Sequence, residues 1–160
     1  MSKKLSGVLV VHACFTLSRS AFEERLHAAG IRVESWQSVG QFSSTSIELS
    51  LEYFEVSELI ESMMKVAKLR FEIVLWPAED FTGERWVFSP VLGLASVQID
   101  AAGNHLLGQG QLMQMLRESG DNVLKMERLV RKAMLVDWDD EFEELREMNI
   151  AQRKRLPRVS

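Results

Sequence analysis

Four consecutive aliphatic residues, Val8, Leu9, Val10 and Val11, stand at the head of residues 7–14, the pattern of a strand in the middle of a sheet with at least one face covered. Ser18 or Ser20 then caps a short helix with Phe22, Leu26 and Ala29 at i, i+4 and i+7, and Gly30 is placed to end it. Residues 31–39 alternate loosely. Residues 45–54 alternate strictly, with Ile47, Leu49, Leu51 and Tyr53 on one face and Glu48, Ser50 and Glu52 on the other. The polar residues 40–44 between these two strands suit a hairpin. Ser57 is the expected cap of a second helix, whose stripe is Leu59, Ile60, Met63, Met64 and Ala67. Phe71, Ile73 and Leu75 alternate as far as Pro77, which cannot donate to a sheet ladder and closes the strand.

Strand, helix, strand, strand, helix, strand is the order of a ferredoxin-like βαββαβ core, so the predicted class is α+β. More sheet follows: Arg85 to Phe88, broken by Pro90, then 91–99, then a return at His105, Leu106 and Leu107 through a hairpin loop over 100–104 in which Gly103 supplies positive φ. Helices end the chain. Leu112, Met113, Met115 and Leu116 mark one that Gly120 stops. Asp121 is the expected cap of a longer helix reaching about Val136, with Met126, Leu129, Val130, Ala133 and Met134 facing the core. Trp138, Phe142 and Leu145 at i, i+4 and i+7 predict a last amphipathic turn or two docked by its aromatics.

The 160 residues, 46% hydrophobic and 26% charged, suffice for one domain whose core needs neither a disulfide nor a metal. The expected division is a single α+β domain over 1–148 and a basic, flexible tail over 149–160. One cysteine, Cys14, excludes an intramolecular disulfide and points to a reducing, cytoplasmic setting. No run of about 18 apolar residues exists to span a membrane, and the apolar stretch after Gly7 is too short for a signal peptide. Nineteen basic against 23 acidic side chains, a net charge of -4, argue against a nucleic-acid partner. Charge is nonetheless uneven. Seven acids between Asp137 and Glu147 meet only Arg146, and then Arg153, Lys154, Arg155 and Arg158 follow without an acid.

Candidate chemistry is sparse. His12 and Cys14 share a strand face and are metal-ligand types, but two ligands are not a site, and spacing brings neither Asp80 nor His105 to them. Cys14 as a nucleophile would need His12 as its base, whereas free cysteine behaves mostly as a small hydrophobe. No catalytic set, metal site or cofactor is assigned. Gly108-Gln109-Gly110-Gln111 precedes a helix, where backbone N–H groups can approach an anion, so Gly108 and Gly110 are candidate ligand-binding residues with His12 and Arg70. Arg70 and Glu72 read more plainly as a solvent-facing ion pair. Arg85 and Trp86 beside Phe81 offer a stacking surface, with Trp86 in the core as the plainer reading.

The segments Leu69-Arg70-Phe71-Glu72 and Phe81-Thr82-Gly83-Glu84-Arg85, and the run from Val91-Leu92-Gly93-Leu94 through Asp100-Ala101-Ala102-Gly103-Asn104 to Gln111-Leu112, resemble an uncharacterised actinobacterial family of unknown function. Val10-Val11-His12-Ala13 and Trp138-Asp139 lie at fitting places, so the likeness spans about residues 7–146. It departs at the basic tail and over 41–58. The resemblance implies no activity. The function expected from the whole is a non-catalytic protein-interaction or regulatory role with an unidentified protein partner. Open sheet edges also suit a homodimer. The alternative is a small-ligand (phosphate- or acyl-bearing) binding protein or enzyme with its pocket near Gly108 and Gly110.

Overall fold

A computed structural model describes residues 4–13, 24, 27–28, 33–39, 44–65 and 69–155. Among these, seven strands form one antiparallel sheet in the order β2-β3-β1-β4-β5-β6-β7. The strands are β1 (Leu5–Ala13), β2 (Val33–Val39), β3 (Ser44–Leu51), β4 (Arg70–Leu75), β5 (Gly83–Ser89), β6 (Gly93–Ile99) and β7 (His105–Leu106). Four helices are described: α1 (Tyr53–Met64), α2 (Gln109–Ser119), α3 (Val123–Ala133) and α4 (Val136–Arg155). The α+β class is as expected. The helix expected between Ser18 and Gly30 falls almost wholly outside the described residues, as do Cys14 and Ala67.

The sheet is covered on both faces, and the period of two in its strands decides what each cover meets. On one face Leu9, Ile47, Leu49, Phe71, Ile73 and Leu75 pack beneath Val56, Leu59, Ile60 and Met63 of α1. On the other, Val87, Val97 and Ile99 pack beneath Leu135, Trp138 and Phe142. Each of these side chains contributes roughly 1.5–3 kcal/mol on burial. β1 and β4 approach so closely that a Cβ on Gly7 would lie 2.7 Å from the Val74 carbonyl oxygen, so glycine is required there.

Several boundaries differ from the pattern-based expectation, each for a local reason. β3 stops at Leu51, and Tyr53 opens α1 instead of ending the strand. Glu52, not Ser57, is the N-cap: its backbone N–H donates to the Glu55 carboxylate (2.8 Å), so a glutamate three residues on does the work expected of a serine. Asn122 replaces Asp121 as the cap of α3, because its Oδ1 reaches the Lys125 N–H at 3.0 Å. β6 starts at Gly93, since Ser89 Oγ takes the N–H groups of Val91 and Leu92 and curls those residues into a turn. The loop at 100–104 is as predicted, with Gly103 at φ 83° and Asp100 accepting from Ala102 and Asn104.

The largest departure is at the C-terminal side. The helix expected to reach Val136 ends at Ala133, because Leu135 takes φ 60° and turns the chain. The segment expected as one or two turns is instead a 20-residue helix, α4, running to Arg155. The stripe Met126, Leu129, Val130, Ala133 and Met134 is only half-buried, and α3 contributes no buried residue to either core.

Candidate functional site

Two features lie on or beside the face that α4 covers. The first is a polar network. Alternation along β4 puts Arg70, Glu72 and Val74 opposite Phe71, Ile73 and Leu75 and therefore under α4. His12 joins the same face at the end of β1, where the register shifts between Val11 and Ala13. The solvent-facing ion pair expected of Arg70 and Glu72 is thus corrected: both are largely covered, and each pairs elsewhere. Arg70 Nε donates to Glu141 Oε1 of α4. Glu72 Oε2 accepts from His12 Nε2 (3.2 Å) and from Arg85 Nη2 (2.7 Å).

Arg85 is the centre. Its Nη2 also donates to Asp139 of α4 (2.7 Å), and its Nη1 meets His105 Nε2 at 3.2 Å. His105 Nδ1 lies 2.9 Å from the Met134 carbonyl. The His12 ring stacks on Phe142, with centroids 4.1 Å apart and planes 13° from parallel. Strands β1, β4, β5 and β7 and helix α4 therefore meet in one chain of charge-assisted hydrogen bonds. Two buried polar atoms, His12 Nδ1 and Glu141 Oε2, have no hydrogen-bond partner among the described residues.

The electrostatics follow from this packing. Burial alone would push the Glu72 carboxyl up, but the hydrogen bond from His12 and the charge and hydrogen bond of Arg85 outweigh it and hold the group at about 2. Burial opposes the charge on Arg85, and Glu72 and Asp139 more than restore it, so its pKa is raised. A carboxyl depressed from 4.5 to about 2 stabilises the fold fully above the unfolded value, and that stability is lost as pH falls through the folded one. Urea titrations should show roughly 3 kcal/mol lost across that window through this group. Glu72→Gln should flatten the acid limb by a comparable amount; an unchanged limb would contradict the assignment.

The second feature is the α2–α3 hairpin. Between its helices runs a cleft of about 680 Å³ with an apolar floor that includes Leu116, Val123, Met126 and Val130, and with Asp121, Glu127 and Arg131 at its sides. Val123 is 79% and Leu124 65% exposed, and Leu112, Met113 and Leu116 on α2 are also exposed. Arg131 is held by Asp137 and Asp140 of α4, both at 2.8 Å.

The candidate residues read from the sequence do not form one site. His12 and Arg70 share the α4 face, at the paired ends of β1 and β4. Gly108 is the N-cap of α2 and Gly110 lies in its first turn, beyond edge strand β7. Open space surrounds both glycines. The hollow of about 370 Å³ beside Gly108 has Glu84 as its charged lining residue, the wrong sign for an anion. Cys14 lies outside the described residues, and no metal-holding group of three or more ligand residues occurs among those described. Trp86 packs against the α1-side core while Arg85 faces the other way, so the two do not form a stacking surface together.

Asp139 and Glu141 were missed as members of the network. Their signal was present in outline: with the face carrying Arg70, Glu72 and Arg85 turned inward, a helix covering it must supply carboxylates.

A family model described as a protein of unknown function (DUF3145) matches residues 38–155. The matched region takes in 41–58, where the resemblance was read as departing, and excludes Val10-Val11-His12-Ala13. No curated protein and no solved structure matches the chain.

Proposed function

The chain belongs to the DUF3145 family, and on that premise we propose that it is a non-catalytic protein-interaction or regulatory protein of the cytoplasm whose contact surface is the α2–α3 hairpin. One observation carries this reading: α3 is amphipathic, yet none of its apolar residues is buried. A helix of 11 residues is marginal in water and draws its stability from packing an apolar face. Here that face is half covered, and the cleft along it continues onto exposed Leu112 and Leu116 of α2. Contiguous exposed apolar surface of this kind marks interaction sites. The ionisable network, by contrast, spends its hydrogen bonds on holding α4 to the sheet.

The strand order β2-β3-β1-β4 with antiparallel neighbours supports a ferredoxin-like reading of the first four strands, extended by β5 to β7. A phosphate- or acyl-bearing ligand at the Gly108 turn has less in its favour, because Glu84 opposes an anion there.

The test is a photo-crosslinking residue placed at Val123 in cells that produce the protein, with Lys65, an exposed residue after α1, as the control position. A discrete adduct is expected at Val123 and not at Lys65, reduced severalfold by Leu116→Asp. A second copy on this face would appear as a self-adduct. Equal, diffuse labelling at both positions would remove the proposal.

A further inference from the structure

The α2–α3 hairpin is tied to the body at its base by an imidazole, in addition to the burial of Leu135 beneath α4 and the pairing of Arg131 with Asp137 and Asp140. His105 lies in β7, just before α2, and Met134 caps the C-terminus of α3, so the contact between His105 Nδ1 and the Met134 carbonyl (2.9 Å) closes the two ends of the hairpin. On the other side of the ring, Nε2 faces Arg85 Nη1 at 3.2 Å. These neighbours fix the protonation state by elimination. A carbonyl only accepts, so Nδ1 carries the hydrogen; a guanidinium only donates, so Nε2 carries the lone pair. The Arg85 contact therefore exists only for this neutral tautomer, whereas the donation from Nδ1 to Met134 survives a second proton.

A second proton on the ring removes that lone pair and sets two cations against each other. Arg85 is the less able of the two to leave, since Glu72 of β4 and Asp139 of α4 both hold it, and His12 of β1 braces Glu72 from behind. His105 sits instead in a strand of two residues that pairs with Gln98 and Ile99 of β6 at the edge of the sheet. We propose that His105 is an acid-released latch: neutral, it holds the base of the hairpin against Arg85 and the sheet; protonated, it lets α2 and α3 move away from the sheet as a unit. Only the consequence for a bound partner rests on reading the hairpin as a contact surface.

Amide hydrogen exchange on the full chain tests the latch without any partner. Between about pH 7.5 and about pH 5.5, amides of α2 and α3 should exchange roughly tenfold faster at the lower pH after correction for intrinsic rates, while those of β4 and β5 keep their protection. His105→Gln should abolish the difference, because a neutral amide accepts from Arg85 and donates to Met134 at either pH. Hairpin protection that is identical at both pH values in the unmodified chain overturns the proposal. So does an acid response that persists in His105→Gln, which would belong to other groups. A hairpin that loosens as described while the Val123 adduct stays constant upholds the latch and counts against the contact reading alone.

Discussion

Arg85→Met should lower the unfolding free energy by roughly 3–5 kcal/mol in urea titrations near neutral pH. The guanidinium serves Glu72, Asp139 and His105 together. Methionine fills much of the same space and supplies none of those donors. Glu72, mostly covered by α4 and the neighbouring strands, is left with His12 as its donor among the described contacts. Asp139 is half-exposed and turns to water at little cost, so the penalty falls on Glu72. Two further results identify the mechanism. Adding Glu72→Gln to Arg85→Met should recover a substantial part of the loss, because it removes the stranded charge. The pH slope should also reverse. In the native chain, acid protonates a carboxylate that the fold prefers charged, so stability falls; without Arg85, burial prevails, the folded state binds the proton more tightly, and acid restores stability. A loss below about 1 kcal/mol, or a pH slope of unchanged sign, would show that Arg85 is not what holds this charge.

Phe142→Ala should cost a similar amount, about 3–5 kcal/mol, by a different route. The ring is 1% exposed and lies between the sheet and α4, with Val87, Val97, Ile99, Leu135 and Trp138 in its cluster. Removing it forfeits the transfer energy of an aromatic side chain and leaves a cavity that the sheet, rigid through its ladders, cannot close. It also uncovers His12, whose ring stacks on it. Water reaching the unpartnered Nδ1 would offset part of the penalty, so Phe142→Leu, which refills most of the volume without stacking, should lie well below half the alanine cost. Thermal unfolding of the two variants checks the ratio. Equal losses would place the energy in the ring stack and not in the volume.

Strand-level organisation was readable because the code for it is local. Phe71, Ile73 and Leu75 alternate without exception, and all three are fully buried. The loop at 100–104 follows from Asp100 and Gly103 alone. Boundaries were harder where the competing signals were both sound. Ser57 is a good cap, but Glu52 with Glu55 starts the helix earlier, and tertiary packing of Val56 rewards the longer version. The network could not be read because it is non-local. His12, Glu72, Arg85, Asp139 and His105 come from five elements, and their meeting depends on strand order and on which face α4 covers. The period of two did place Arg70 and Glu72 together on one face; what it lacked was the identity of the cover. With water assumed there, an ion pair was the natural reading, and with a helix there it becomes a buried network.

Leu135 ties the hairpin to the second core. A leucine at φ 60° is unfavourable in an unfolded chain, where glycine or asparagine would take that conformation readily. It persists here because its side chain is 1% exposed beneath α4, so the hydrophobic cluster enforces the corner. Anything that empties that cluster relieves the backbone as well, and the natural relaxation is for α3 and α4 to straighten into one continuous rod. Damage to the interior would then be seen first as a change of shape at the periphery.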